Sequence, residues 1–413
     1  LRSRGRGTNE MEHKRKAGNT QRVRNSQSIE QRMYKRNIVS YNALRGLCAV
    51  GIFCHHNSYL ADALNPFWQG IYNCFLKYGS RCTSFFFIMS GFLLAYTWKD
   101  RNFGDYIKRK LKRLYPLTLF VFVLAIGCSF VLNDAVNGSM AVGSNMWWAS
   151  IILNLTLLKA FVPIEDVFYS FHGPSWYISV LFVFYIVGYF SVKKLKAEQA
   201  VKAGTYKSVN DRLAPILRIG GGICLIYLVQ FVLCVVVDTK GLSGMRLYLT
   251  YVNPYFRIFG EGMLGVFLCE TMPWIQERIK CWNKSVLEVS SLILFVVFFL
   301  LNYFIRSSVW SAWVWFIPVT FLIVSFNDDS GILSRCFCGR DWQFLGNISF
   351  ELYMTHAFVY EGLPVIVGLV SGSLRSWLVY HAGTRFVITF VLSVVFAWVI
   401  HVVLEWVMKK IKI

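Results

Sequence analysis

The chain has 413 residues, of which 55% are hydrophobic and only 16% charged, and its 43 Lys and Arg outnumber its 22 Asp and Glu, for a net charge of +21. Soluble domains carry about 25% charged residues, so this chain has too few polar side chains to cover a core of its size. Long apolar runs such as residues 292–301 also exclude a disordered chain, a collagen and a small disulfide-rich scaffold. The composition indicates an all-α polytopic integral membrane protein.

The positive charge does not follow the pattern of a nucleic-acid-binding protein. Eleven of the cations lie within residues 1–42, and most of the others occupy short segments between apolar runs. Lys and Arg in such segments determine which loops stay on the cytoplasmic side of a membrane. A nucleic-acid site instead needs cations on one surface that follows the phosphate backbone. No nucleic-acid partner is expected.

The sequence divides into a polar tail and one membrane domain. Residues 1–36 are basic and contain no hydrophobic signal region, which predicts a disordered cytoplasmic tail. The chain starts at Leu1, and Met11 and Met33 are alternative start residues. Residues 37–413 form the predicted transmembrane domain.

Eleven apolar segments follow the tail. About twenty residues cross a bilayer, and a shorter stretch can be tilted, re-entrant or interfacial. The segments lie at residues 43–62, 84–98, 114–133, 147–162, 176–192, 215–237, 252–269, 286–305, 309–326, 346–370 and 384–408.

Segment 147–162 is the one that we do not expect to cross. It carries two adjacent Trp residues, Asn154 and Lys159, which favour a short interfacial or re-entrant segment. If it does not cross, 32 cations are cytoplasmic and 7 lie in exterior loops, whereas a crossing would move the six cations of residues 192–214 outside. The bias predicts about ten transmembrane helices in the plasma membrane, with both termini cytoplasmic.

This topology is testable by cysteine labelling. A single Cys introduced within residues 192–214 should react with a membrane-impermeant maleimide only after cells are permeabilised, because the positive-inside rule places this loop in the cytoplasm. Arg375→Cys, in a predicted exterior loop, is the control that should react in intact cells. Labelling of residues 192–214 from outside would mean that segment 147–162 crosses.

The eleven Cys residues do not indicate a disulfide framework or a metal site. Most lie inside apolar segments, where Cys behaves as a small hydrophobe. Cys336 and Cys338 lack further ligands at zinc spacing, so no metal is expected. Only Cys74 and Cys82 share an exterior loop, and their pairing is left open.

Ionisable residues inside apolar segments are costly and are therefore candidates for a functional site. Arg45 and His56 stand eleven residues apart in the first segment. Eleven helical residues make three turns plus about 20° and rise about 16 Å, so both side chains share one helix face. The alternative is an Arg that snorkels to the interface and a His bonded to a neighbouring helix.

The second segment and the basic run after it form a second cluster. Ser90 and Gly91 inside an apolar helix allow close packing against a neighbour. The cations between residues 108 and 113 precede the third segment, where they either set the topology or bind the phosphates of a cytoplasmic cofactor.

Later segments also contain ionisable pairs. Arg257 and Glu261, at i and i+4, can neutralise each other as a structural ion pair. Glu351 and His356 place an acid and an imidazole in another span. The exterior stretch around residues 165–172 adds two acids and His172, which are either solvated or part of a site.

Five short motifs occur in order along residues 37–413, and together they resemble the membrane acyltransferase 3 family, which O-acylates surface polysaccharides, lipopolysaccharide and related acceptors. No single motif is specific, but the five in register are. They are LRGLCAVGIFCHH with Arg45 and His56, FFFIMSGFLL with Ser90, RKLKRLYPL with Lys110, Arg113 and Pro116, FRIFGEGMLG with Arg257 and Glu261, and ISFELYMTHAFV with His356.

The chain departs from the family pattern at three positions. Asn42 replaces an acid that often precedes the motif Arg, and Lys110 replaces an Arg, with Arg109 beside it as a substitute. Leu181 stands where the family usually has a Glu after a Trp, which puts any role of that acid in doubt.

The resemblance implies an integral-membrane O-acyltransferase that moves an acyl group from acyl-CoA, expected to be acetyl-CoA, to a hydroxyl of a carbohydrate or glycolipid at the cell surface. The expected catalytic residues are His56, as general base, and Arg45. The expected donor-binding residues are Lys110, Arg113, Arg109 and Ser90, and Glu261, Arg257 and His356 are further candidates. A proton-coupled transporter with a His and Glu relay is the alternative from another class, and a non-catalytic sensor or assembly role is a third.

Overall fold

The structure is a computed structural model, and it describes residues 38–130, 140–202, 209–239, 252–305, 307 and 313–410. The predicted tail at residues 1–36 lies outside these ranges, as do the predicted exterior cations Lys240, Arg246 and Arg306. All elements described below belong to one compact unit, Val39–Ile413.

The described residues form helices and no strand. The α-helices are α1 Val39–His56, α2 Pro66–Cys74, α3 Cys82–Tyr96, α4 Phe103–Ser129, α5 Asn145–Leu155, α6 Glu165–Tyr169, α7 Trp176–Lys202, α8 Val209–Thr239, α9 Asn253–Tyr255, α10 Met263–Arg278, α11 Lys284–Phe304, α12 Phe316–Ser325, α13 Ile332–Phe337, α14 Arg340–Asn347, α15 Ser349–Val370, α16 Gly372–Tyr380 and α17 Ala382–Lys410. A π-helical turn, Phe256–Gly262, joins α9 to α10.

Six of these helices, α4, α7, α8, α11, α15 and α17, are long and apolar enough to cross a membrane. The all-α membrane class is thereby confirmed for the described residues, whereas the count of about ten spans stays a prediction. Segment 147–162 forms α5, with 11 residues, and a short 3₁₀ turn at Lys159–Phe161. An 11-residue helix rises only about 16 Å, which is less than a bilayer core needs.

Two helix boundaries differ from the sequence prediction. Helix α1 ends at His56, not at residue 62, and a 3₁₀ turn follows it. Helix α4 begins at Phe103, where Asn102 Oδ1 accepts from the backbone N–H of Asp105 at 2.8 Å. The basic run at residues 108–113 therefore belongs to the helix itself and is not a loop before it.

Helix α1 is anchored at its start by residues nearly 300 positions away. The carboxylate of Asp329 accepts from the backbone N–H groups of Val39 at 2.8 Å and Ser40 at 3.0 Å. These are unsatisfied donors at a helix N-terminus, where a negative charge is also favoured by the helix dipole. The Ser40 hydroxyl donates to Ser334 Oγ at 2.9 Å.

Farther along, α1 touches the backbone of α14. A Cβ added at Gly46 would lie 2.8 Å from the backbone nitrogen of Gly346, closer than real Cβ atoms approach. Asn42, one turn earlier, donates to Asn347 Oδ1 at 2.8 Å and to Gln343 Oε1 at 3.1 Å. The amide at this position thus holds α1 to α14.

Helices α3 and α10 also meet through glycines. A Cβ at Gly91 would lie 1.8 Å from the carbonyl oxygen of Gly262, and one at Gly265 would lie 1.9 Å from the carbonyl oxygen of Ile88. The close packing expected at Gly91 is confirmed. Small residues of this kind let membrane helices approach through their backbones.

A buried acid joins α11 to α13. The carboxylate of Glu288 is fully buried and accepts from the backbone N–H groups of Gly331 at 3.0 Å, Leu333 at 2.9 Å and Ser334 at 3.0 Å. The negative charge lies at the N-terminus of α13, where these donors and the helix dipole stabilise it.

The glycine contact between α3 and α10 predicts that a Gly→Leu substitution lowers stability at Gly91 but not at a glycine beside open space. Gly91→Leu should lower the free energy of unfolding of the detergent-purified protein by about 3 kcal/mol or more. Overpacking a core costs roughly 1–3 kcal/mol, and here the added side chain meets backbone atoms that cannot move aside. Gly221→Leu is the matched control in α8, where an added Cβ meets nothing within 4 Å. Equal melting temperatures for the two variants would contradict the close approach of these helices.

Candidate active site

Four cations surround a cavity of about 560 Å³ at one end of the helices. The cavity is called the basic cavity here, and its cations are Arg45 of α1 and Arg109, Lys112 and Arg113 of α4. None of these four side chains has a carboxylate partner within the described ranges of the chain. Cations that cluster without forming an ion pair favour the binding of an anion, and Arg offers a bidentate fork to phosphate.

The helical phase of α4 determines which of its cations reach the basic cavity. Arg109, Lys112 and Arg113 stand at i, i+3 and i+4 and share one face. Lys110 lies on another face, where its Nζ is 4.2 Å from the ring centroid of Tyr185 in a cation–π contact. Of the residues predicted to bind a cofactor, Arg109 and Arg113 therefore line this cavity and Lys110 does not.

A carboxylate and an imidazole complete the wall of the basic cavity. Glu351 Oε1 lies 2.9 Å from His401 Nδ1, and Glu405 Oε1 lies 3.5 Å from His401 Nε2. Glu351 thus supplies, from α15, an acid near Arg45 that Asn42 does not supply from α1. His401 and Glu405 were not among the residues predicted from the sequence, although two polar residues at i and i+4 in the final apolar helix were an available signal.

Histidines from two helices meet at the other end of α1. The ring centroids of His56 and His356 are 5.0 Å apart, and the ring of Tyr360 stacks 6.2 Å from each of them. His356 is completely buried, with its Nδ1 3.0 Å from the carbonyl oxygen of Leu352. His55 turns away, and its Nδ1 lies 2.5 Å from the carbonyl oxygen of Lys77.

His56 lines a second and larger cavity of about 1040 Å³, called the apolar cavity here. Its walls come from α4, α15 and α17, and its polar side chains are those of His56, His172, Tyr169, Tyr360 and Glu361. His356 does not line it. Of the two adjacent rings in the His56 and His356 pair, His56 is the one that a molecule in this cavity would contact.

A buried lysine holds the loop that brings His172 to the apolar cavity. Lys159 is 1% exposed, and its Nζ donates to the carbonyl oxygens of Ser170 at 2.8 Å and His172 at 2.9 Å. Burial lowers the pKa of Lys159 to about 7 and lowers the pKa of His172 well below its usual value. The His172 ring stacks on Phe358, and both of its nitrogens lack a hydrogen-bond partner in the described structure.

The two expected catalytic residues line different cavities. Arg45 faces the basic cavity and His56 the apolar cavity, about 16 Å farther along α1. A buried apolar cluster that includes Ala49 of α1 and Leu352 of α15 lies between the two levels. The spacing predicted that Arg45 and His56 share one helix face and one groove, but in the structure the two side chains line two separate cavities.

The remaining candidates belong to helix packing. Arg257 Nη1 lies 2.5 Å from Glu261 Oε2 and donates to Ser84 Oγ at 2.8 Å, while its Nε donates to Asn253 at 2.9 Å. Both partners of this ion pair are buried, and neither lines either cavity. Ser90, predicted at the donor site, is bonded to Tyr177 and also lines neither cavity.

Two sequence comparisons identify proteins that this chain resembles. Residues 38–402 match the family described as acyltransferase domain. Over 379 residues, covering 89% of this chain and 90% of its own length, the acyltransferase MdmB of Streptomyces mycarofaciens is 24% identical. No solved structure matches the chain. Because the family match spans residues 38–402, which is most of the chain, the chain belongs to the acyltransferase 3 family and is an acyltransferase.

Proposed function

We propose that this protein is an integral-membrane O-acyltransferase that binds acyl-CoA, in the first instance acetyl-CoA, and transfers its acyl group to a hydroxyl. The observation that carries the proposal is that one helix, α1, supplies an unpaired cation to the basic cavity and an imidazole to the apolar cavity. The first cavity suits the phosphates of the donor and the second suits the hydroxyl compound.

The basic cavity supports an acyl-CoA donor by its charge. Arg109 and Arg113 are exposed at its rim and Arg45 lies deeper on α1, so a polyanion can contact several guanidinium groups at once. These cations belong to the region that the positive-inside rule assigns to the cytoplasm, where acyl-CoA is available. To reach His56, the arm of CoA must then pass along α1 through the apolar cluster that contains Ala49 and Leu352.

His56 is suited to act as the general base. A neutral imidazole accepts the proton of the acceptor hydroxyl while its oxygen attacks the carbonyl carbon of the thioester. The C–S bond then breaks, CoA leaves as a thiolate that needs little acid assistance, and the proton on His56 returns to that thiolate. His356, whose Nδ1 is engaged by the Leu352 carbonyl, supports the His56 ring from behind as a positioning residue.

The acceptor is proposed to be a polysaccharide or glycolipid of the cell surface, reached on the side opposite the basic cavity. The transporter alternative loses support, because the Glu261 carboxylate is engaged by the buried Arg257 guanidinium and lines neither cavity. A relay needs an acid that can exchange protons with its neighbours, and this one is held in an ion pair.

The donor site predicts different effects for cations on the two faces of α4. Arg113→Ala and Arg109→Ala should each raise the apparent KM for acetyl-CoA by roughly 10-fold to 150-fold, since a charge-assisted phosphate contact contributes about 1.5–3 kcal/mol. Lys108→Ala is the matched control, an exposed cation of the same helix that does not line the basic cavity. If all three variants, correctly inserted, keep the wild-type KM, the run serves topology only.

The general base predicts a rate effect confined to one histidine. In single-turnover acyl transfer, His56→Ala should lose about 10²-fold to 10⁴-fold in rate, the usual contribution of general-base catalysis. His55→Ala, which alters the adjacent residue on a different helix face, is the matched control and should stay above about a tenth of the wild-type rate.

His356→Ala distinguishes the two members of the pair. If His356 only positions His56, His356→Ala should lose less of the single-turnover rate than His56→Ala does. The dependence of its rate on pH should remain that of the wild type. Should His56→Ala stay above about a tenth of the rate while His356→Ala falls by the full amount, the base is His356. Matched expression and insertion of all variants is required for the comparison.

A further inference from the structure

The wall of the apolar cavity doubles as an outer surface of the helices. Ile366 and Leu369 of α15 are 62% and 83% exposed, and Val395 of α17 is 48% exposed, yet all three line the cavity. Both helices are among those long and apolar enough to cross a membrane. Side chains that line the cavity thus also face the outside of two candidate membrane helices, where lipid tails and not water would surround the protein in a bilayer.

The polar groups of the cavity are few and belong to residues 56, 169, 172, 360 and 361. The Tyr360 hydroxyl donates to Glu361 Oε1 at 2.7 Å, and the Tyr360 ring stacks beside His56. His172 is 4% exposed and has two ring nitrogens without a partner in the described residues. A bound molecule would thus find hydrogen-bonding groups at one place and hydrocarbon elsewhere.

From this geometry we infer that the acceptor is a lipophilic alcohol that enters from the bilayer, with its hydrocarbon body in the apolar cavity and its hydroxyl at His56. The inference rests on the proposed function, since it names the acceptor of that same site.

Two other occupants fit less well. A free polysaccharide presents a hydroxyl on nearly every ring carbon, and each hydroxyl buried without a partner is costly, whereas most of this wall is aliphatic or aromatic. The acyl chain of a long-chain donor would account for the apolar wall but not for the hydroxyl that must contact His56. The donor also has the basic cavity, about 16 Å away along α1, for its own approach.

A glycine in the cavity wall allows a clean obstruction. An added Cβ at Gly127 of α4 meets nothing within 4 Å, and Gly127 lines the apolar cavity. Gly127→Phe places a ring in the cavity without a backbone clash. Gly222→Phe is the matched control, because Gly222 of α8 has the same open space and lines neither cavity.

The experiment follows label from radioactive acetyl-CoA in membranes of cells that produce the full chain, with the products divided between an organic and an aqueous phase. The expected result is a labelled ester in the organic phase, reduced roughly 10-fold or more by Gly127→Phe, because the ring occupies space that the acceptor needs and every tenfold loss of affinity is about 1.4 kcal/mol. Gly222→Phe should leave it at the wild-type level, and both variants should bind acetyl-CoA as the wild type does.

Other outcomes overturn the inference in distinguishable ways. Label in water-soluble polysaccharide, unaffected by Gly127→Phe, would overturn the lipophilic acceptor and leave the acyltransferase intact. If labelled lauroyl-CoA loses transfer in Gly127→Phe while acetyl-CoA keeps it, the cavity holds the donor chain instead. No transfer and no binding of either donor by the wild-type protein would overturn the proposed function itself.

Discussion

Both cavities depend on the contacts that fix the position of helix α1. Its N-terminus is held by the Asp329 carboxylate, and Gly46 brings its backbone against that of Gly346. Because the helix is rigid and fixed at one end, the rise of about 1.5 Å per residue determines where Arg45 and His56 lie. A shift of α1 would move both side chains together, so the anion site and the histidine site are mechanically linked.

Charged groups inside this fold fall into two kinds. Arg257 with Glu261, Glu288 with the start of α13, and Lys159 with two carbonyl oxygens are buried and fully engaged. Breaking such a contact leaves a desolvated charge, which is strongly destabilising. The four cations around the basic cavity form no ion pair with a carboxylate among the described residues, so their charge is available to an anionic ligand.

The buried surroundings of His56 also favour acyl transfer over hydrolysis. The rings of His56, His356 and Tyr360 pack in a triangle, and His356 is completely buried, so water has limited access to His56 from that side. Exclusion of water favours attack by the intended hydroxyl over hydrolysis of the thioester and strengthens the electrostatic interactions within the site. If the cavity opens toward lipid, an apolar acceptor can enter while water is still kept away from the thioester.

Composition alone indicated the membrane class, and Arg45 and His56 became candidates because an ionisable residue in an apolar run is anomalous wherever it folds. The family and the donor-site role of Arg113 came from the resemblance of five short motifs to the acyltransferase 3 family. Spacing also identified Arg257 and Glu261 as a pair, since an i and i+4 contact is local. Only the tertiary structure decided that Lys110 turns to Tyr185, that Glu351 and His401 join Arg45, and that Asp329 caps α1. Those contacts connect residues tens to hundreds of positions apart, or depend on the phase of a helix relative to its neighbours, and neither is encoded in local periodicity.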